Sequence, residues 1–147
     1  METITLPDYQ SLAELRHQIR RFLHFSEKAA RKARMEPHQH QLLLALKGLP
    51  EDLRPSIGVL AERLQIQPHS TVELANRLAK RGFVRRQRDN NGKDRREVLL
   101  NLTAKGEKAL RELSLHHRAE LRTAGPALLA ALLGVLSNGN RKRIREI

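Results

Sequence analysis

Nine lysine or arginine side chains and two aspartates lie between Arg77 and Arg96, so this short segment carries a net charge of +7. Such side chains neutralise the phosphates of nucleic acids, whereas like charges without a partner repel one another. The whole chain has the same character, with a formal net charge of +12 over 147 residues and a pI of about 11.2. We therefore predict that the chain binds DNA.

Several other kinds of chemistry are disfavoured. The sequence contains no cysteine, which excludes disulfides, thiolate zinc sites and thiol nucleophiles. Aromatic residues make up only 3% of the chain, too few for the stacking platforms that hold single strands or RNA loops. The pairs His38 with His40 and His116 with His117 have spacings that place their rings on different sides of a helix. With no nucleophile motif and no phosphate loop, we expect no metal, no cofactor and no enzyme activity.

The segments that precede the basic cluster are predicted to be helical. Apolar residues at three- and four-residue steps predict an amphipathic helix from about Ser11 to Arg34. Pro37 suits the first position of a second helix, which should end at Gly48. The loop 49–55 contains two prolines and separates this helix from the next unit.

A helix-turn-helix is predicted next. Its first helix runs from Gly58 to Leu64, after Ser56, which could cap that helix or start a short strand. Pro68 sets the entry to the second helix, and Gly82 ends it as a left-handed cap. The spacing predicts a buried stripe on the second helix, formed by Val72, Ala75 and Leu78 with Leu74 as a further candidate. The exposed face is expected to carry Ser70, Thr71, Glu73, Asn76, Arg77 and Lys80.

A β-hairpin and further helices complete the predicted order. Phe83 begins a strand, Asn91-Gly92 supplies the turn, and residues 98–102 form the returning strand. Thr103 then caps a helix. We expect Gly125-Pro126 to break that helix.

The C-terminal part is predicted to be a second apolar helix with a basic tail. The run from Ala127 to Leu136 is apolar, but it is far shorter than the ~18 residues of a membrane span. We therefore expect a buried or subunit-interface helix and no membrane association. Asn138-Gly139-Asn140 should interrupt or end this helix, and Arg141 to Ile147 form a basic tail.

These motifs, in this order, resemble those of the MarR family of bacterial transcription regulators. The residues that carry the resemblance are Leu60-Ala61-Glu62-Arg63-Leu64, Ser70-Thr71-Val72, Arg77-Leu78, Gly82-Phe83-Val84 with Arg86, Asp94-Arg95-Arg96, and Leu102-Thr103 with Gly106. The resemblance covers nearly the whole chain. It implies a mainly α fold with a small β-hairpin, in which a winged helix-turn-helix core at about 37–106 is accompanied by dimerisation helices at about 8–36 and 107–147.

The resemblance also implies an obligate homodimer that binds pseudo-palindromic operators in double-stranded DNA. Many members release DNA when a small, often aromatic, ligand binds. The sequence departs from the family pattern in the wing between Arg86 and Asp94, which is longer than usual, and at Glu73, where several relatives carry arginine. A carboxylate cannot bind guanine O6 and N7, although it can accept a hydrogen bond from cytosine N4.

Candidate DNA contacts fall into three groups. Residues at the start and on the exposed face of the second helix are expected to contact bases or phosphates, unless they only cap the helix. This group consists of His69, Ser70, Thr71, Glu73 and Asn76, and Ser56 is added to it. Basic residues expected to contact phosphates are Arg77, Lys80, Arg86, Arg88 and Lys93. In the wing, Arg95 or Arg96 is predicted to enter the minor groove, and Asp94 to hold a wing arginine in position.

Two interpretations compete with a sequence-specific regulator: a sequence-neutral architectural nucleic-acid binder, and a winged-helix module that binds proteins. The varied polar residues of the predicted recognition face favour the regulator, because an architectural binder needs only lysine and arginine. For a small-molecule effector, conceivable lining residues are His17, Phe22, Phe25 and Leu42. The first residues lack a signal-peptide pattern, so we expect a cytoplasmic protein.

Overall fold

The computed structural model describes residues 2–88 and 97–145, with side chains as far as residue 138. The chain is mainly helical with one antiparallel hairpin, as the sequence predicts. In chain order the elements are α1 (Leu6–Lys32), α2 (Pro37–Lys47), α3 (Ile57–Leu64), α4 (Pro68–Lys80), β1 (Val84–Arg88), β2 (Val98–Leu102) and α5 (Ala104–Arg145). They form two compact units, one of residues 30–114 and one that combines the residues up to 29 with those from 115 onward.

The unit of residues 30–114 is built around a leucine core. Helices α2, α3 and α4 contact one another, and β2 contacts α2 and α3. The fully buried leucines are Leu42, Leu43, Leu60, Leu78 and Leu100. Burying each such side chain contributes on the order of 1.5–3 kcal/mol, so this cluster provides the main stabilisation of the unit.

Local signals set the turn between α3 and α4. Gln65 adopts a left-handed conformation with φ 54°, and the Ile66 amide donates to the Ala61 carbonyl at 3.1 Å. Pro68 occupies the first turn of α4, where its missing N–H removes no helical bond. Gly82 has φ 80° and follows the last turn of α4, which confirms the predicted left-handed end.

The hairpin is bonded to the backbone of Pro55 and Ser56, which lie directly before α3. Within the hairpin, Val84 pairs with Leu102 and Arg86 with Leu100. The Leu100 amide donates to the Pro55 carbonyl at 2.9 Å, and Ser56 forms a bridge with Leu99. The loop before α3 therefore extends the hairpin sheet on the β2 side.

The other unit contains most of α1 and the C-terminal part of α5. The Asn138 carboxamide nitrogen donates to Ser11 Oγ at 2.7 Å and to the Pro7 carbonyl at 3.4 Å. The rings of Phe25 and His117 meet edge to face, with their centroids 6.1 Å apart. These contacts tie the two helices together within this unit.

The bounds of α1 differ from the prediction. It begins at Leu6 and not at Ser11, because Asp8 accepts hydrogen bonds from the Thr5 amide and hydroxyl, each at 2.7 Å. This arrangement resembles a capping box, in which an acidic or amide side chain in the first turn bonds back to the capping residue. The helix ends at Lys32, since Arg34 has φ 58°, a conformation that a right-handed helix cannot contain.

The predicted break in α5 is wrong. Pro126 lies inside a continuous helix, and neither it nor Asn138-Gly139-Asn140 ends the helix, which runs to Arg145. A proline removes one backbone hydrogen bond and costs about 3 kcal/mol, a penalty that packing and the alanines and leucines that follow can offset. Asn138 does not stop the helix, and its side chain bonds instead to α1.

The continuity of α5 also corrects the expectation about apolar length. Between Ala104 and Asn138 it contains an 18-residue stretch with a mean hydropathy of 1.4, of which 6% is buried. By length and composition alone this stretch could cross a membrane, whereas the apolar run from Ala127 to Leu136 is too short to do so. One such helix is weak evidence for a membrane span, but it is clear evidence of a large uncovered apolar surface.

Substitution of Gly106 should lower the free energy of unfolding. A methyl group there would overlap the backbone carbonyl of Phe83 and approach Leu102 Cδ2 to 3.1 Å. Because a backbone carbonyl cannot swing aside, we expect Gly106→Ala to cost about 1–3 kcal/mol in urea denaturation. Gly125→Ala is the control, since no atom beyond the adjoining helix backbone lies within 4 Å of its added carbon, and it should stabilise α5 by about 0.5–1 kcal/mol. A neutral result for Gly106→Ala would contradict this packing.

Candidate nucleic-acid interface

Helix α4 displays a varied set of polar side chains to solvent. Its apolar stripe packs into the core, with Leu74, Ala75 and Leu78 buried and Val72 half-buried at the edge. The exposed residues are His69, Glu73, Asn76, Arg77 and Lys80, while Ser70 is half-buried. The residue that caps the helix is Gln67, and neither His69 nor Ser70 takes that role.

Thr71 does not belong to this exposed face. Its side chain is fully buried, and its hydroxyl donates to the Gln67 carbonyl at 3.1 Å. Its spacing from Leu74, Ala75 and Leu78 places it on the buried stripe, a signal that the sequence contained but that the polar side chain obscured. Thr71 therefore cannot contact DNA without leaving the core.

Ser56 is also structural. It is 4% exposed, and its hydroxyl oxygen accepts from the Val59 amide at 3.2 Å, which caps the start of α3. Of the two local roles predicted for Ser56, the structure supports the helix cap. The hydroxyl oxygen is thus already used within the fold, and a contact of Ser56 with DNA stays a prediction.

Exposed basic residues follow α4 along β1. Arg85, Arg86 and Arg88 are exposed on this strand. Lys80 is exposed at the end of α4. The described part of the basic cluster thus forms a cationic strand directly after the helix, an arrangement suited to phosphate contacts.

Two of the predicted DNA-binding arginines have partners on the protein. Arg77 Nη1 lies 3.4 Å from Glu36 Oε2, and these side chains are 60% and 59% exposed. The Arg86 guanidinium donates to the Asn76 carboxamide oxygen. Such exposed contacts are weak in water and can be exchanged for phosphate or base contacts.

Arg81 belongs to the basic cluster in sequence but acts inside the fold. Its guanidinium donates to the Arg34 carbonyl at 2.6 Å and to Gln39 Oε1 at 2.7 Å. It also lies 4.8 Å from the centre of the Phe83 ring, and Lys105 Nζ lies 4.7 Å from the same ring. Sequence charge alone could not reveal this role, because the partners are distant in the chain. Arg81 holds the end of α4 against the start of α2.

The predicted wing tip lies outside the described residues. This applies to Asn91-Gly92 and to Lys93, Asp94, Arg95 and Arg96. Where the description resumes, Glu97 Oε2 accepts from Arg54 Nη1 at 2.8 Å, with the side chains 29% and 49% exposed. This ion pair connects the start of β2 to the loop before α3.

The residues predicted to line a ligand pocket are divided between the two units. Leu42 is fully buried in the leucine core of the unit of residues 30–114, and its role in a ligand pocket stays a prediction. His17 is exposed, and Phe22 and Phe25 are half-buried in the other unit. None of the four lines the cavity of about 620 Å³ in that unit, whose lining residues are Pro7, Gln10, Ser11, Glu14, Ala127, Ala130, Ala131, Gly134 and Asn138. Among the described residues, no group of three histidines or carboxylates could hold a metal ion.

The lobe described above is a winged helix-turn-helix, and comparison with known proteins agrees. The MarR family model matches residues 35–97. AbsC, a MarR family transcriptional regulator from Streptomyces coelicolor, shares 23% identity and superposes with a TM-score of 0.73, covering 99% of this chain and 97% of that one. BpsR from Bordetella bronchiseptica shares 20% identity with a TM-score of 0.65, covering 89% of this chain and 98% of that one.

A third neighbour is CouR from Rhodococcus jostii RHA1, with 22% identity, a TM-score of 0.57 and coverage of 68% of this chain and 67% of that one. No curated protein sequence is detectably similar. The family model matches the winged helix-turn-helix lobe and the solved structures share the fold, so this lobe is similar to that of the MarR family of DNA-binding transcription regulators.

Removing the carboxylate that pairs with Arg77 should strengthen DNA binding. Glu36→Gln keeps an oxygen acceptor at the start of α2 but frees the guanidinium for phosphate. We expect a gain of at most about fivefold at low salt, equal for all DNA sequences, because exposed ion pairs contribute at most about 1 kcal/mol. Fluorescence anisotropy would measure it, with the exposed Glu51→Gln as a control of the same charge change. Equal gains for both variants would show that only net charge matters.

Proposed function

We propose that the protein is a homodimeric, sequence-specific transcription regulator that binds a pseudo-palindromic operator through α4. The observation that supports this most directly is the chemistry of the α4 surface, where His69, Glu73 and Asn76 are exposed ahead of the basic Arg77 and Lys80. Carboxylate, amide and imidazole groups on a helix that enters the major groove can discriminate between base edges. A protein that needed only phosphate contacts would have no use for an exposed carboxylate there.

The basic residues have a complementary role in this proposal. Arg77 and Lys80 on α4, and Arg85 and Arg88 on β1, contact phosphates and fix the orientation of the lobe. Such contacts carry no sequence information, and their strength decreases as salt rises. The architectural alternative has the same basic residues but assigns no role to Glu73.

The uncovered apolar surface of α5 supports the homodimer. No charged residue occurs between Arg122 and Arg141. Within this stretch the side chains of Leu129, Leu133 and Leu136 are 58%, 54% and 60% exposed in the single chain. Their spacing puts them on one face of the helix, and burying such a face in a two-fold interface recovers about 25 cal/mol for each Å² of apolar surface.

A small-molecule response stays a prediction for this chain. The DNA binding of BpsR is regulated by 6-hydroxynicotinic acid, and CouR was crystallised with bound p-coumaroyl-CoA. These ligands belong to those proteins. Residence in the cytoplasm likewise stays part of the proposal, since that is where a bacterial regulator meets DNA.

A charge in the apolar face of α5 should prevent assembly. Leu133→Asp places a carboxylate in the proposed interface, so sedimentation velocity at micromolar concentration should show a monomer in place of a dimer of the 16.8 kDa chain. Leu44→Asp is the matched control, because Leu44 is 44% exposed on α2, in the unit of residues 30–114. This variant should remain dimeric. A wild-type protein that is monomeric, or that requires detergent to stay in solution, would contradict the proposal.

Selection of bound duplexes from a random pool should yield a sequence with two-fold symmetry. On that operator, Glu73→Ala should lower affinity by roughly 5- to 150-fold and alter preference at one base pair in each half-site, as expected for loss of a base contact worth about 1–3 kcal/mol. Arg77→Ala should weaken the operator and a scrambled duplex alike and reduce the salt slope by about one unit. Both quantities come from anisotropy titrations across a salt series. If both variants lose the same affinity on every duplex, the architectural alternative is correct.

A further inference from the structure

Two side chains assigned separately to DNA contacts are bonded to each other in the free protein. Asn76 is exposed on α4, and Arg86 is exposed on β1. The Arg86 Nη1 group donates to the Asn76 carboxamide oxygen, Oδ1. The strand after the recognition helix therefore determines how one of the helix's polar groups is held.

The chemistry of this contact fixes the direction of the carboxamide. A guanidinium group can only donate hydrogen bonds, so it must face the oxygen of the amide and not its nitrogen. The Asn76 Nδ2 group, which carries two N–H donors, then remains for another partner.

We propose that Arg86 is a positioning residue for base recognition: it holds Asn76 so that α4 presents Nδ2 as a donor to guanine. Guanine offers two adjacent acceptors, O6 and N7, in the major groove. Adenine offers N7 beside an N6 donor, and an asparagine reads it through both amide atoms at once. The Arg86 guanidinium occupies one lone pair of Oδ1 and places a positive charge beside it, so the approach of the adenine N6 donor to the same oxygen is disfavoured.

Arg86 can keep a phosphate contact while it does this. The guanidinium group has five N–H donors, and the bond to Asn76 uses one of them. A phosphate held by the others would draw the guanidinium toward the DNA backbone and stabilise the same arrangement. This inference rests on the proposed function, since it specifies how α4 selects one base of the operator.

The test compares four duplexes that differ only at the base pair whose preference Asn76→Ala removes. Wild-type protein should prefer guanine there, and Arg86→Ala should reduce the preference for guanine over adenine by about tenfold, within the 1–3 kcal/mol of a good base contact. In the Asn76→Ala background, Arg86→Ala should change no base preference further, because the two residues act as one unit. Arg85→Ala, the neighbouring exposed arginine on β1, is the control and should weaken all four duplexes equally.

Asn76→Asp separates base recognition from a structural tie between α4 and β1. Aspartate retains an oxygen for Arg86 but has no donor for guanine, so the guanine preference should disappear while the thermal stability stays close to that of the wild type. If Asn76→Asp keeps the wild-type preference, if Asn76→Ala alters no position, or if Arg86→Ala acts equally on all four duplexes, the inference is wrong. If the Asn76 and Arg86 variants fail in this way while Glu73→Ala still changes its own base pair, the proposed function survives. A wild-type protein with no base preference overturns both.

Discussion

One hydroxyl group, that of Thr103, joins the end of α4 to the hairpin and to α5. It donates to the Gly82 carbonyl at 2.6 Å and accepts from the Gly106 amide at 3.1 Å, while the Thr103 amide donates to the Phe83 carbonyl at 3.1 Å. Gly82 provides the left-handed turn, and Gly106 lets the first turn of α5 approach the Phe83 carbonyl. The angle between α4 and the basic strand β1 depends on this junction, because only a short turn connects Lys80, the last residue of α4, to Val84, the first residue of β1.

The basic cluster is not a uniform surface. Arg81 faces inward and holds α4 to the start of α2, while Arg77 and Arg86 have partners on the protein. Only cations that meet phosphates release counterions and set the salt dependence of binding. The net charge of a segment therefore predicts the kind of partner, but a cation such as Arg81, which bonds within the fold, adds to that charge without adding a phosphate contact. The division between positioning and recognition depends on which side chains share a hydrogen bond.

The order of elements could be predicted because its signals are local. Pro68 at the start of α4, Gly82 after its end and Thr103 at the start of α5 each act through the backbone of neighbouring residues. The role of Thr71 could not be assigned from residue type, since a hydroxyl that bonds to its own helix is compatible with the core. The direction of Asn76 was beyond the sequence as well, because it depends on a residue of the next strand.

The predicted break in α5 is wrong for a different reason, because the local penalty of Pro126 says nothing of the surface that the whole helix presents. With Pro126 inside it, α5 carries an uninterrupted apolar face within a stretch that has no charge between Arg122 and Arg141. In the proposed homodimer it matters that this apolar face is separate from the charged residues, because each chain carries a net charge of +12. Two such chains repel, but charges farther from the interface than the Debye length of about 8 Å are largely screened at physiological salt. An apolar interface can then outweigh the repulsion that remains, and DNA bound by both lobes would neutralise it further.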